Sequence, residues 1–412
     1  MDRAILHSDL NCFYASVAIL LDPSLRGKPV AVCGSTDERH GIVLAKSYEA
    51  KAYGVKTGQA TWEAKRACPD LIVVPPDYDL YIKYSRLVRD VYSRYTDQVE
   101  PYGMDECWLD VTGSQGLFGT PLEIAERISG EIKREIGLTV SIGVSFNKVF
   151  AKLGSDMKKP DGITCIPRSA FRRIVWPLPA GDLLYCGPSS VRRLAGYGVH
   201  TIGQLAALDP EFIRSRMGVC GYRLWLYANG NDTSRVSCFD YQPPVKSVGH
   251  GITCVADLTD PGQVRRVLLE LAQDVGHRLR AHGLIARGVE VGVRDSELGS
   301  RQYRARLDWP TRLPGELAGA AFGLFDSRYD WFRPVRAVTI RAVDLFDDQA
   351  PRQLELFEDV ERRGRLERIQ DAVEDVRGRY GSAALTYASL LMDLKMPRDG
   401  REKVRMPGLM HV

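Results

Sequence analysis

Residues 102–110, YGMDECWLD, set two adjacent carboxylates, Asp105 and Glu106, among Tyr, Met, Cys, Trp and Leu, with Asp110 four residues further on. Apolar runs of this kind read as half-buried strand, where an unpaired charge is costly. Something must therefore stabilise these acids. The stretch forms a hairpin with VEP (99–101) and is followed by a helical PLEIAERISGEIKREIG (121–137) and a strand-like LTVSIGVS (138–145). Ahead of it, RAILHSDL (3–10) reads as a strand running into Asp9. DYDLYIKYSRLVRDVYSRYT (77–96) puts Leu80, Tyr84, Leu87 and Val91 on one helical face. Strand, helix, two strands, helix, strand is the order of a ferredoxin-like βαββαβ sheet, here with residues 11–77 inserted early. In such a sheet the first and third strands are neighbours, so Asp9 and Asp105 converge at one edge.

Carboxylates a few ångströms apart repel, and one of them ordinarily takes up a proton. A divalent cation removes the conflict, and hard oxygen ligands select Mg²⁺, above all when phosphate oxygens complete its shell. Two such ions about 4 Å apart suit an in-line displacement at phosphorus. For an isolated Asp-Glu pair a turn or solvated edge is the commoner reading. Apolar flanks on both sides, and the equivalent setting of Asp9, favour the metal site here.

A chain of 412 residues exceeds one hydrophobic core, so two to four domains are expected. Its 44% hydrophobic and 26% charged content is that of a globular protein, and no apolar run reaches the ~20 residues of a membrane span. No secretory signal is expected at the start. Nine cysteines without a CxxC pair are expected to be reduced thiols of a cytoplasmic protein, neither a disulfide framework nor a zinc site. Charge is uneven: residues 1–150 hold 17 basic against 20 acidic side chains, residues 151–341 hold 27 against 18, and residues 342–412 hold 12 against 14. A carboxylate site beside a polyanion-binding surface fits that split.

GKPVAVCG (27–34) reads as a strand, and GIVLAKSYEAKAYGV (41–55) as a strand entering a helix that ends at Gly54. LLYCGPSSVRRLAGYGVHTIGQLAAL (183–208) holds two short helices around GYGVHT. That is the pattern of a helix-hairpin-helix, whose backbone amides grip DNA phosphates without reading sequence. SCFDYQPPVK (237–246) is a connector and domain boundary. From 247 to 345 the strand–helix–strand–strand–helix–strand order recurs, with no residue-level repeat. After QLELF (353–357) comes a helix with Leu366, Ile369, Val373, Val376 and Tyr380 at helical spacing.

SDLNCFYASV (8–17), SYEAKAYGV (47–55), MDECWLD (104–110) and SFNKVFAKLGSDMKKPDGI (145–163) stand in the order and at the spacings of the Y-family, or translesion, DNA polymerases. The chain most resembles the bacterial polymerase IV type, over about residues 3–345 and the tail motif. The resemblance implies an α+β right hand: a ferredoxin-like palm (1–10 and 78–167), small fingers (11–77), a helical thumb with the helix-hairpin-helix (168–236), a linker (237–246), a separate α/β little finger (247–345) and a tail (346–412). It implies low-fidelity, template-directed transfer of nucleotides from dNTPs to a primer 3′-hydroxyl, with two Mg²⁺ per site held by Asp9, Asp105, Glu106 and the Leu10 carbonyl.

Carried over residue by residue, Tyr14 falls on the steric-gate position, where an aromatic ring leaves no room for a 2′-hydroxyl, and Phe13 supports it. Tyr48, Lys51 and Lys159 would bind the triphosphate. Lys51 stands where the family usually has Arg and supplies charge without a bidentate fork. Ile42 and Leu44 would cover the nascent base pair. Lys148 and Lys152, four apart on a helix, are expected as a phosphate-facing pair, and Gly196 and Gly198 as the hairpin that holds the duplex. Lys246, Ser247, Arg301, Arg304 and Arg306 are the expected little-finger phosphate contacts. Gln353, Leu354, Leu356 and Phe357 resemble the bacterial sliding-clamp (beta) motif, with apolar side chains docking in pockets. The implied protein is a monomer, nucleoid-associated, acting on primer-template DNA. A nucleotide cyclase also uses carboxylates and metal on such a sheet, but needs no hairpin, Arg-rich domain or clamp peptide. A catalytically weak repair scaffold is a second alternative, against which all three carboxylates are present.

Overall fold

The computed structural model describes residues 2–36, 41–350 and 360–397. The QLELF segment with Gln353, Leu354, Leu356 and Phe357 lies outside the described residues. Two compact units divide at Gln242/Pro243, within the 237–246 connector.

The first unit opens with β1 (Ile5–Leu10) and α1 (Phe13–Leu21). Then come β2 (Val30–Cys33), β3 (Val43–Lys46), α2 (Tyr48–Ala52), α3 (Thr61–Ala67) and β4 (Ile72–Val74). Strands β3-β2-β4 form a small sheet with its own core of Ala31, Cys33, Val43, Ala50, Val55 and Ala64. Next are α4 (Tyr78–Ser93), β5 (Val99–Pro101), β6 (Glu106–Asp110), α5 (Gln115–Phe118), α6 (Pro121–Glu131), β7 (Val140–Ser145), α7 (Lys148–Met157) and β8 (Ile163–Ile166). The main sheet runs β5-β6-β1-β7-β8, and β1 pairs antiparallel with both β6 and β7. Without the added edge strand β8, this is the ferredoxin-like order anticipated from the sequence.

Every residue of β1 is buried because helices cover both faces. Leu6 and Leu10 pack with Phe13 of α1, Tyr92 of α4 and Ile128 of α6, while Ile5 packs with Trp108 and with Ala151 of α7. A Cβ on Gly143 of β7 would lie 1.9 Å from the Ala151 carbonyl oxygen and 2.5 Å from the Ser155 nitrogen. Glycine at 143 is thus what lets the α7 backbone lie directly on the sheet.

Four thumb helices follow: α8 (Phe171–Val175), α9 (Pro188–Ala195), α10 (Ile202–Ala206) and α11 (Pro210–Ala228), the last broken at Gly218, where φ is +67°. Their core is shared with α7: Val149, Phe150 and Leu153 of that helix, and Phe146 just ahead of it, pack among Phe171, Leu194, Ile202 and Leu224. The thumb therefore folds as an extension of the palm's α7 face.

The second unit comprises β9 (Val248–Leu258), α12 (Pro261–Ala281), β10 (Leu284–Asp295), β11 (Ser300–Thr311), α13 (Pro314–Asp326), β12 (Val335–Asp347) and α14 (Val360–Tyr380). Its sheet runs β11-β10-β12-β9, all antiparallel. The first strand lies at an edge here and in the interior of the palm sheet, so the shared element order builds two different topologies. Helix α14 also departs from its apolar spacing. Its polar side docks on α12, through Glu374 with His277 (2.6 Å) and Glu367 with Arg280 (2.8 Å), leaving Leu366, Ile369 and Tyr380 exposed.

Because α7 rests on a bare glycine, Gly143→Ala is expected to lower unfolding stability by about 2–3 kcal/mol. Denaturant unfolding measures this, and an unchanged midpoint would contradict the close approach.

Candidate active site

Strand register builds the site. Asp9 faces Glu106 and His7 faces Trp108 across the β1–β6 ladder, so all four side chains point to the α7 side of the sheet. Asp105 ends the hairpin loop ahead of β6. Gly103 turns there with φ +96°, and the Leu10 N–H donates to the Asp105 carbonyl (2.9 Å), tying the loop to the end of β1. The three acids anticipated from sequence thus sit together. Asp110 stands apart: its Oδ1 accepts from the Thr112 N–H (3.0 Å) and hydroxyl (2.5 Å), so it caps the turn after β6.

The charges are balanced by lysine. Lys152 Nζ lies 2.9 Å from Glu106 Oε1 and 3.3 Å from Asp9 Oδ2, and Lys159 Nζ lies 2.7 Å from Asp9 Oδ2. Asp105 makes no ion pair among the described residues. Burial pushes its carboxyl up to about 7, with Glu106 and Asp9 adding to the shift. Burial also raises Asp9, against the pull of Lys152. Burial opposes the charge of Lys152, yet Glu106, Asp9 and Asp156 hold it above the usual lysine range. Three partly buried carboxylates, one of them without an ion pair among the described residues, are a donor set that a hard divalent ion fits. Among the described residues no three such side chains already close on a single point in chelating geometry.

Lys148 and Lys152, expected to face DNA phosphate, both turn inward. Lys148 Nζ is 2.5 Å from Glu100 Oε1 and 4.4 Å from the Trp108 ring centroid. The cause is the dense carboxylate edge of the sheet beneath α7. Tyr14 stacks flat on Tyr81 (3.9 Å between centroids, 8° between planes), with Tyr78 edge-on at 6.2 Å and Phe13 at 5.5 Å. Burial and the nearby Asp105 raise its hydroxyl pKa. Leu44 packs against the palm core, and Ile42 is exposed. Lys51 lies 5.8 Å from the Tyr48 ring centroid.

In the hairpin, Gly198 has φ +75°, which favours glycine. The amides of Gly196, Tyr197 and Gly198 donate to the carbonyls of Arg192, Leu194 and Ala195, so the phosphate grip expected of them is already committed to ending α9. In the second unit, Arg304 and Arg306 pair in register with Glu290 and Gly288 on the sheet face away from α12 and α13. Arg301 pairs with buried Val293 and therefore belongs to the helix side of the sheet. Arg304 meets Asp344 at 2.6 Å. Lys246 and Ser247 are exposed just before β9.

Several residues escaped the sequence reading. Burial pushes the Cys12 thiol up, opposed by its hydrogen bond with Tyr48 and by the charges of Lys46, Lys51 and Lys159, so Lys46 adds a cation near Tyr48. Buried Asn11 accepts from the Asp161 N–H (2.8 Å) and donates to Ser141 (2.8 Å), pinning the loop that carries Lys159. His7 Nδ1 lies 2.9 Å from Ser155 Oγ, and its Nε2 lies 3.5 Å from Glu106 Oε2. Asp156 contacts both site lysines. Only Asp156, at i+4 from Lys152, had a spacing that signalled its place.

Residues 8–156 match the model of the impB/mucB/samB family, and residues 245–356 match that of its C-terminal domain. A DNA polymerase IV of Acetivibrio thermocellus is 48% identical over 398 residues, covering 97% of this chain and 100% of that protein. The chain belongs to the Y family of DNA polymerases. DNA polymerase IV 1 of Bacillus subtilis is 38% identical over 395 residues, 94% of this chain and 93% of that one. A solved Y-family DNA polymerase chimera, Dbh-Dpo4(243-245)-Dbh, superposes with TM-score 0.75 at 22% identity, covering 84% of this chain and 99% of its own, and shares the fold. As a member of this Y-family group, the protein is a DNA-directed DNA polymerase of the translesion kind, acting on primer-template DNA and dNTPs with divalent metal ions. No helix among the described residues is long and apolar enough to cross a membrane.

In the metal-free protein the Asp105 carboxyl is easier to bury neutral than ionised. Its contribution to stability is full below about pH 4 and lost as pH rises through about 7. Asp105→Asn is therefore expected to stabilise the metal-free protein by ~2–4 kcal/mol at pH 8, and not at pH 4. Thermal unfolding in chelator measures this; equal stabilisation at both pH values would contradict the assignment.

Proposed function

We propose that Asp9, Asp105, Glu106 and the Leu10 carbonyl hold two Mg²⁺ ions at which a primer 3′-hydroxyl is joined to an incoming dNTP. The observation that carries this reading is the in-register facing of Asp9 and Glu106 beside a half-buried Asp105 that has no ion pair among the described residues. When bound, the ions would activate the hydroxyl and stabilise the leaving pyrophosphate. The chain's own residues do the positioning. Tyr48, Lys51 and Lys159, joined by Lys46, form a cationic pocket that attracts and orients the triphosphate. Tyr14, held flat by Tyr81, closes the space a 2′-hydroxyl would need, and Leu44 with Ile42 covers the base.

Arg304 and Arg306, on the open sheet face of the second unit, supply sequence-independent phosphate contacts, with Lys246 and Ser247 at the entry to that sheet. We assign Gln353, Leu354, Leu356 and Phe357 to a bacterial sliding clamp, and the protein to a nucleoid-associated, cytoplasmic monomer.

Primer extension with Mg²⁺ and dNTPs tests the site. Wild type is expected to extend, Asp105→Ala to lose about 10³-fold or more in rate, and Tyr14→Ala to accept ribonucleotides at least about tenfold better relative to dNTPs. Extension retained by Asp105→Ala would sink the metal-site assignment, and unchanged sugar discrimination in Tyr14→Ala would sink the gate.

A further inference from the structure

Asp156 is the carboxylate of this cluster that is not among the proposed metal ligands. It sits in α7, one turn beyond Lys152 and three residues before Lys159, with its side chain 48% exposed against 7% for Asp9. Each of its oxygens serves one lysine: Oδ2 lies 3.1 Å from Lys152 Nζ, and Oδ1 lies 2.9 Å from Lys159 Nζ. Both ammonium groups also contact Asp9 Oδ2, at 3.3 and 2.7 Å, and Lys152 reaches Glu106 as well.

A dication and an ammonium group cannot share the same carboxylate oxygens without strong repulsion. When cations claim Asp9 and Glu106, both lysines lose those partners together. Among the described residues Asp156 is the ion-pair acceptor that both lysines keep, and its side chain is more exposed than either of theirs. The geometry points to Asp156 as a positioning residue that retains Lys152 and Lys159 when cations take Asp9 and Glu106, and that thereby keeps Lys159 aimed at the triphosphate. The inference rests on the reading of Lys159 as a triphosphate ligand. Asp156 touches neither substrate nor reacting atoms; it acts through the lysines. Asn11, through the Asp161 amide, holds the far end of the same loop, so Lys159 is steered from both sides.

The test is equilibrium binding of the next correct dNTP, with Mg²⁺, to the full chain on a dideoxy-terminated primer-template, where no chemistry occurs. Asp156→Asn is expected to weaken dNTP binding about tenfold while leaving binding of the primer-template alone unchanged, and Asp156→Glu to recover to within about threefold of wild type. On a Lys159→Ala background, itself weakened, Asp156→Asn is expected to add less than about twofold. Unfolding midpoints check each variant, and Asp156→Ser replaces Asp156→Asn if the latter does not fold. Undiminished dNTP affinity in Asp156→Asn, or the same tenfold loss on both backgrounds, overturns the inference. If Lys159→Ala leaves dNTP affinity intact, the triphosphate reading itself has failed and the inference falls with it; a weakened Lys159→Ala with an unaffected Asp156→Asn isolates failure of the inference alone.

Discussion

The molecule is organised around the cost of placing acids at the end of a completely buried strand. β1 is covered on both faces, so Asp9 leaves water as soon as the sheet closes, and the β6 register brings Glu106 opposite it. Helix α7 answers that cost. Its Lys152, together with Lys159 just beyond its end, neutralises Asp9 and Glu106, and Gly143 is what allows the helix backbone to come close enough to do so. Buried ion pairs rarely add net stability, because desolvation offsets most of the attraction. The arrangement is better understood as holding a charged site open for cations than as bracing the fold.

The same helix links the site to the rest of the first unit. Its Val149, Phe150 and Leu153 pack into the thumb core, while its Lys152 reaches Asp9 and Glu106 and its Asp156 pairs with Lys152 and Lys159. One element thus sets both the thumb's attachment and the electrostatics of the chemistry. Aromatic packing sets the other wall, where Tyr14 lies flat against Tyr81 of α4.

Much of this was legible from residues alone, because it depends on local pattern. The βαββαβ order, the strand running into Asp9, the hairpin that carries the DE pair and the helix that ends by Gly54 all follow from periodicity and backbone preference. What was not legible depends on which face of an element meets which neighbour. Lys148 and Lys152 share a helical face in any reading, but only the sheet beneath α7 decides that this face meets carboxylates. Alternation along β11 sets Arg301 opposite Arg304 and Arg306, but only the packing of α12 and α13 decides which of the two faces is covered. Element order in the second unit left the strand order open, and the apolar spacing of α14 did not foresee a docking face made of Arg280, His277, Glu367 and Glu374.

The central claim is that the buried acids are built to receive divalent cations, with the lysines holding their places until then. Calorimetric titration of the chelator-treated protein on primer-template DNA with Mn²⁺, at pH 6.5 in buffers of different ionisation enthalpy, tests it most directly by counting protons. Because the Asp105 carboxyl is pushed up to about 7, binding is predicted to release a fraction of a proton at pH 6.5 and almost none at pH 8.5, and to be lost in Asp105→Asn. Binding that releases no proton at either pH, or that survives in Asp105→Asn, would contradict the account.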